Sequence, residues 1–290
     1  VTFWERYRIP ILLAPTMTVI VVLFLGSLWY GLLQSLGWNP RIGATDLSLN
    51  AYAEVIAGQR YATQFWQGLL LSLWTTITST AISAVLAVGM ALVLRESFVG
   101  KRLGVFLFQF NLPIPHIVAA IGVLFLLSQS GLISRGLAQI GFVGTPSDFP
   151  VLVRDRWGLG IILAYVWKET PFIGVIVLAV LQSLGGSYGD VARNLGANSW
   201  QRFCYVTLPL IRPALLSSSV IVFAFTFGAY EIPAVLGVQF PSALPVIAVD
   251  IFNSADLRDR DEAMALSMII AAIIMVLVGI YMGARQRSTS

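Results

Sequence analysis

Four ionisable residues lie inside long apolar stretches of the chain: His116, Lys168, Glu169 and Glu231. In hydrocarbon an ionised side chain costs about 2.5 kcal/mol or more unless it finds a partner or water, so each marks either a structural pair or a polar path. Lys168 and Glu169 are adjacent, and neighbours on a helix point about 100° apart. Each is therefore expected to seek its own partner on another helix, or a water-filled path. Glu231, beside Tyr230 and before Pro233, either lines such a path and attracts a cation or closes a structural salt bridge. Tyr230, Glu231, Lys168 and Glu169 are the candidate path residues. His116 stands beside Pro113 and Pro115 in an apolar run, which points to packing in a helix bundle rather than to catalysis or proton relay.

Other chemistry is excluded by what the chain lacks. Its two lysines, Lys101 and Lys168, are not followed by Ser or Thr, so no phosphate-gripping GxxxxGK[ST] loop exists and the chain does not hydrolyse ATP. One histidine and one cysteine rule out a tetrahedral zinc site built from those ligands, and Cys204 has no partner for an internal disulfide. No catalytic residue and no metal site are expected.

One polar stretch interrupts the apolar sequence: DVARNLGANSWQRFCYVTLPLIRP, Asp190 to Pro213. A short helix starting at Asp190 places Val191 and Leu195 on one face, with Arg193 and Asn194 turned elsewhere. Asp190 favours the helix start through capping and the dipole, and Gly196 favours its end. Phe203, Val206 and Leu208 are spaced to pack the segment against its own bundle. Pro209 and Pro213 are expected to break the chain before the next apolar run. The result is a short exposed helix on a stiff elbow, suited to another protein's groove.

The elements around these residues follow from composition. With 290 residues, 57% hydrophobic and only 11% charged, and a mean hydropathy of +0.83, this is an integral membrane protein. Six spans are expected near 11–36, 66–94, 103–128, 159–181, 214–238 and 263–284, with the polar loop as residues 182–213 of one transmembrane domain over 1–290. The first apolar run is too long for a signal peptide and no small-residue cleavage site closes it, so it reads as an uncleaved span. FWERYR ahead of it has the aromatic and basic make-up of an interfacial anchor. The polar segments 37–65 and 131–158 read as outer loops, the first with a surface helix around Asn50 to Ile56.

Six spans place both termini on one side. The segments sharing that side carry ten Arg and Lys residues against seven on the other (Arg41, Arg60, Arg135, Arg154, Arg156, Arg258 and Arg260). By the positive-inside rule the termini and the loop 182–213 are cytoplasmic. The net charge of +4 belongs to this arrangement and not to nucleic acid.

The polar loop resembles the Glu-Ala-Ala loop of the membrane permeases of bacterial ABC importers. Ala192, Leu195, Gly196, Ala197, Phe203, Val206, Leu208, Pro209 and Pro213 match its pattern in register. Asp190 stands where Glu is usual, Val191 where Ala is usual and Asn194 where Asp is usual. The Pro113 and Pro115 pair, Gly131-Leu132-Ile133 and the leader Leu49, Asn50 and Tyr52 are similar to the spermidine/putrescine branch and its relatives for sulfate, ferric iron and thiamine. The resemblance implies an all-α, six-span type I importer permease in the bacterial inner membrane. It implies a second permease, two ATP-binding subunits that carry ATP and magnesium, an extracytoplasmic solute-binding protein, and no cofactor on this chain. It assigns ATPase coupling to Asp190, Val191, Ala192, Arg193, Leu195, Gly196, Ala197 and Pro209.

The solute stays open. Nine acids in the outer segments against seven arginines, together with Glu231, lean toward a polyamine or similar small cation. Ferric iron, thiamine, sulfate, phosphonate and sugar are the alternatives. A different class of reading is a proton-coupled secondary carrier with Glu169, Glu231 and His116 as its relay, and a third is a scaffold that carries nothing.

Overall fold

In a bilayer each backbone N–H and C=O must be satisfied within its own segment, and runs of Leu, Ile, Val and Ala do so as helices. The structure, a computed structural model, describes residues 3–96, 98–184 and 187–289. Among these every regular element is helical. In chain order they are α1 (Phe3–Ser35), α2 (Asn50–Ala57), α3 (Ala62–Arg95), α4 (Lys101–Gln109), α5 (His116–Leu127), α6 (Leu132–Gln139) and α7 (Leu159–Ser183). There follow α8 (Ser187–Asn194), α9 (Ser199–Arg202), a π-helical segment (Phe203–Thr207), α10 (Leu208–Gly228), α11 (Glu231–Leu236), α12 (Leu244–Phe252) and α13 (Asp259–Thr289). Among the described residues six stretches are long and apolar enough to cross a membrane: Ile11–Ser35, Ala62–Arg95, His116–Gln139, Leu159–Ser183, Ser199–Gly228 and Asp259–Gly283.

The chain divides into two compact units, residues 1–65 with 247–272 and residues 66–246 with 273–290. In the first, α1 exposes Leu12, Leu23, Phe24 and Trp29, a surface that lipid solvates at no cost. Its polar end is tied together by side chains. Ser35 Oγ lies 2.7 Å from the Tyr52 hydroxyl, and Arg60 grips both oxygens of Asp259 at 2.7 and 3.0 Å. Ser254 donates to the same carboxylate at 2.6 Å. This hydrogen bonding raises the Arg60 guanidinium above its ordinary pKa, and burial pushes the neighbouring Tyr61 hydroxyl up to about 12.

Apolar clusters hold the second unit together. Ala91, Leu94, Phe108, Ile173, Val177 and Ile211 join α3, α4, α7 and α10. Gly174 lets the Phe108 ring lie against α7, where a Cβ would collide with it. Ala120, Ile161, Tyr165, Ile232 and Leu236 join α5, α7 and α11.

Two expectations about the spans are corrected. The third, placed near 103–128, is not one helix: α4 ends at Gln109 and α5 begins at His116. Pro113 and Pro115 lack N–H groups and their rings clash with the preceding turn. The fifth, placed near 214–238, starts earlier and ends at Gly228, and the chain turns at Ala229 before α11. The break expected at Pro209 and Pro213 is absent, since helix runs from Ser199 to Gly228. Pro209 falls in the first turn of α10 directly after the π-helical segment, whose wider winding makes room where its ring would meet the Tyr205 carbonyl.

Candidate functional site

Where proline and unwound backbone interrupt these helices, intramembrane polar side chains donate to the backbone carbonyls. Pro171 lies inside α7 and has no N–H for the carbonyl of Trp167. Asn111 Nδ2 donates to that oxygen at 2.6 Å. The Asn111 carbonyl, in the unwound segment between α4 and α5, accepts the Ile114 N–H at 3.1 Å; Lys168 Nζ donates to it at 2.6 Å and to the Leu112 carbonyl at 3.0 Å. The ammonium thus sits against the unwound end of α4, where the helix dipole favours a cation. Glu169 is hydrogen-bonded to His116 Nε2 at 3.0 Å, and the His116 ring packs tilted against Phe225 with centroids 4.7 Å apart.

Lys168 and Glu169 are therefore buried, at 4% and 7% exposure, and each has found a partner on a different segment. Tyr230 and Glu231 are exposed instead. Glu231 opens α11, so its carboxylate stands at the positive end of a helix rather than inside the fifth span. The four candidate path residues are not brought into one hydrogen-bonded group.

A polar feature of α3 goes unnoticed in the sequence reading. Ser72, Thr75, Thr76, Ser79, Thr80 and Ser83 are all buried, at helical spacings of three and four. Ser72 Oγ accepts the Leu244 N–H at 2.9 Å, whereas the hydroxyls of Thr80 and Ser83 have no hydrogen-bond partner. The signal was legible: in a span that faces lipid with its apolar side, small polar residues mark the side that faces protein or water.

The polar loop forms two short helices with defined ends. Gly196 adopts a left-handed conformation, φ +84°, which a residue with a Cβ resists. The Gly196 N–H donates to Arg193 O and the Ala197 N–H to Ala192 O, both at 3.0 Å, the paired bonds of a Schellman cap on α8. Asn198 then caps α9: its side chain accepts the Gln201 N–H at 2.8 Å while Gln201 Oε1 accepts the Asn198 N–H at 2.9 Å. The sequence Gly-Ala-Asn-Ser-Trp-Gln thus stops one helix and starts the next within three residues.

Val191 on α8 and Leu195 directly after it are 60% and 82% exposed, and Tyr188, three residues before Val191, is 55% exposed. Positions 188, 191 and 195 fall on one helix face, so the loop presents an apolar ridge. Tyr188 was missed, although its spacing to Val191 and Leu195 could have found it. Arg193 in the last turn and Asn194 are exposed beside the ridge, Ala192 and Ala197 are half-buried, and Pro209 is exposed on α10. Asp190 falls within α8, and its side chain lies outside the described residues. Cys204, half-buried in the π-helical segment, is a free thiol.

The fold and these sites define a helical, multi-pass membrane protein. Residues 83–287 match the family of binding-protein-dependent transport system inner membrane components. The protein belongs to that family and is a permease component of such a transport system. Among its relatives is the trehalose/maltose transport system permease MalF of Thermococcus litoralis, 24% identical over 94% of this chain and 91% of that one. The sulfate permease CysT of Escherichia coli K12 is 28% identical over 81% and 84%, and the molybdenum permease ModB of Mycobacterium tuberculosis 29% over 75% and 78%. The fold is similar to that of a bacterial ABC transporter involved in import of the acidic polysaccharide alginate, with TM-score 0.80 and 18% identity, covering 99% of this chain and 98% of that one. These relatives place the chain in the family; they do not single out the spermidine/putrescine branch.

Proposed function

We propose that the chain forms half of the translocation path of an ATP-driven importer and takes its motive force through α8. The observation that carries this is the ridge of Tyr188, Val191 and Leu195, apolar and exposed on a short helix whose end is fixed by the Gly196 cap. An exposed apolar ridge on a polar loop is a docking face. Its occupant is a separate ATP-hydrolysing subunit, two of which serve this permease and a second one, with ATP and magnesium held by those subunits. A solute-binding protein delivers from outside, consistent with the family's binding-protein dependence. Because helix continues from α9 through α10, displacement of α8 passes into the fifth span along a rod and not through a proline elbow. The spans then exchange outward-open and inward-open arrangements. The positive-inside count supports a cytoplasmic loop and cytoplasmic termini.

Of the nine outer acids that, with Glu231, favour a polyamine by count, Glu54, Asp148, Asp155, Asp256 and Asp259 are engaged by donors close by. Two backbone N–H groups, with Thr145 the stronger donor, hold Asp148 below the usual carboxylate range. These carboxylates serve loop geometry and offer little charge to a cation. The named relatives carry sugars, sulfate and molybdenum, which supports a sugar or a small oxyanion as the solute.

The test is to replace Leu195 with Asp and ask whether ATP-hydrolysing subunits still co-purify. Loss of those subunits and of ATP-driven uptake, with normal membrane insertion, is expected. Uptake by the purified chain alone, driven by a pH gradient and indifferent to ATP, would establish the carrier reading instead.

A further inference from the structure

The turn that leads into α7 places an arginine where its backbone is strained and its side chain has no internal use. Val153 is buried with Ile161, Ile232 and Leu236, and the next residue, Arg154, holds φ +58°, the one positive value outside glycine among the described residues. A residue with a Cβ resists that region, and glycine or asparagine fills it at lower cost. The backbone here is braced from several sides. The Arg154 N–H donates to the Leu236 carbonyl of α11 at 2.8 Å, and Trp74 Nε1 of α3 donates to the Trp157 carbonyl at 3.1 Å. Asp155 accepts the N–H groups of Trp157 and Leu159 at 2.9 and 2.8 Å, one on each carboxylate oxygen. The acid of the turn is thus committed to its own backbone. Arg154, Arg156 and Trp157 are exposed, Trp157 at 68%. Among the described residues neither guanidinium has an ion-pair or hydrogen-bond partner.

Two free arginines and a tryptophan on a braced turn have the composition of an interface hot spot. We infer that this turn docks the extracytoplasmic solute-binding protein, Arg154 and Arg156 each pairing with a carboxylate on an acidic face of that partner and Trp157 packing beside them. The inference rests on the importer reading above and on the positive-inside count, which sets this segment outside. A guanidinium pairs with a carboxylate through two parallel hydrogen bonds, so its position and orientation matter as well as its charge. A bilayer surface asks only for positive charge at the right depth, because headgroups move to meet it, and arginines on relaxed backbone supply that equally. A folded acidic surface holds its carboxylates at set positions. It favours a turn that sets the arginines in advance, even at the cost of strain.

The probe is the solute-binding protein that stimulates ATP hydrolysis by the assembled transporter. Its binding is measured to the transporter in nanodiscs of phosphatidylcholine and, separately, of phosphatidylcholine with phosphatidylglycerol. Arg154→Gln, Arg156→Gln and Trp157→Ala should each weaken binding about tenfold. Binding to the unaltered transporter should fall as salt rises. Arg154→Gly separates the two roles of its position: it relieves the backbone, so thermal stability should hold or rise, while binding weakens as in Arg154→Gln. Arg135 Nε donates to the Ser130 carbonyl at 2.9 Å, so Arg135→Gln removes the same charge from the same outer segment and should bind as the unaltered transporter does. Full binding in both Arg154→Gly and Arg156→Gln would overturn the proposal. So would an equal loss in Arg135→Gln, which marks a general field, or losses confined to nanodiscs with phosphatidylglycerol, which mark a headgroup site. If no binding protein stimulates the assembled transporter, the importer reading fails and this proposal with it.

Discussion

Replacing Gly196 separates the shape of the loop from its contacts. The residue holds φ +84°, and an added Cβ would meet nothing within 4 Å, so the cost of a substitution is conformational and not steric. A residue with a Cβ loses about 1–2 kcal/mol in the left-handed region. That is a factor of roughly 5–30 in the population of the capped form. The helix concerned is Ser187–Asn194, and helices this short are marginal in water, so the loss falls on a helix with little stability to spare. Gly196→Ala and Gly196→Leu should therefore reduce ATP-driven uptake and retention of the ATP-hydrolysing subunits to similar extents. Gly196→Asn should recover most of both, because Asn tolerates the left-handed region. The assay is solute uptake into vesicles alongside the amount of co-purified subunit. Uptake at the unaltered level in Gly196→Ala would refute the role of the cap. Leu failing completely while Ala behaves normally would show that the glycine is needed as a contact surface instead.

Three further outcomes follow from the geometry. Asn111→Leu removes the donor to the Trp167 carbonyl and should cost about 1–3 kcal/mol of stability; adding Pro171→Ala, which returns the backbone N–H, should recover part of it in a double-mutant thermal-unfolding cycle. Glu169→Gln keeps an acceptor for His116 and should sustain uptake, while Glu169→Leu should impair it; a Gln variant as inactive as Leu would point to proton transfer. Tyr61 is raised to about 12, so its neutral form is favoured in the folded state: the stabilisation is complete below pH 10 and is lost as pH rises from 10 toward 12. The phenolate absorbance that disappears in Tyr61→Phe should accordingly emerge near pH 12, and its appearance near pH 10 would contradict the burial seen here.

Local signals were legible where the partners are close in sequence. The Schellman cap needs only Ala192 to Ala197, and the capping box on α9 only Asn198 to Gln201, so residue type and spacing suffice to read both. Pro209 misled for the opposite reason: a proline in an apolar run reads as a break, and the π-helical turn that accommodates it has no compositional mark. The acid count in the outer segments misled because a formal charge says nothing about the N–H groups that will surround it. Asp148, held by Gly144 and Thr145, looks the same in sequence as a carboxylate facing open water.

The polar residues of the spans show how far such reading reaches. From sequence, Lys168 and Glu169 required partners, because an unpaired charge in hydrocarbon is too costly. The partners themselves lie more than fifty residues away, at Asn111, Leu112 and His116. Interrupted helices link them: Pro171 strips the helical donor from the Trp167 carbonyl, the segment after α4 is unwound, and a membrane offers no water to make up such losses. A break in one span thus creates a demand that a donor from elsewhere meets, Lys168 answering the unwound Asn111 and Leu112 carbonyls and Asn111 answering Pro171. The two deficits are exchanged between α7 and the unwound segment after α4, so the break in the third span and the charge in the fourth are one structural device. It would be unmade from either side, by restoring a donor or by removing one.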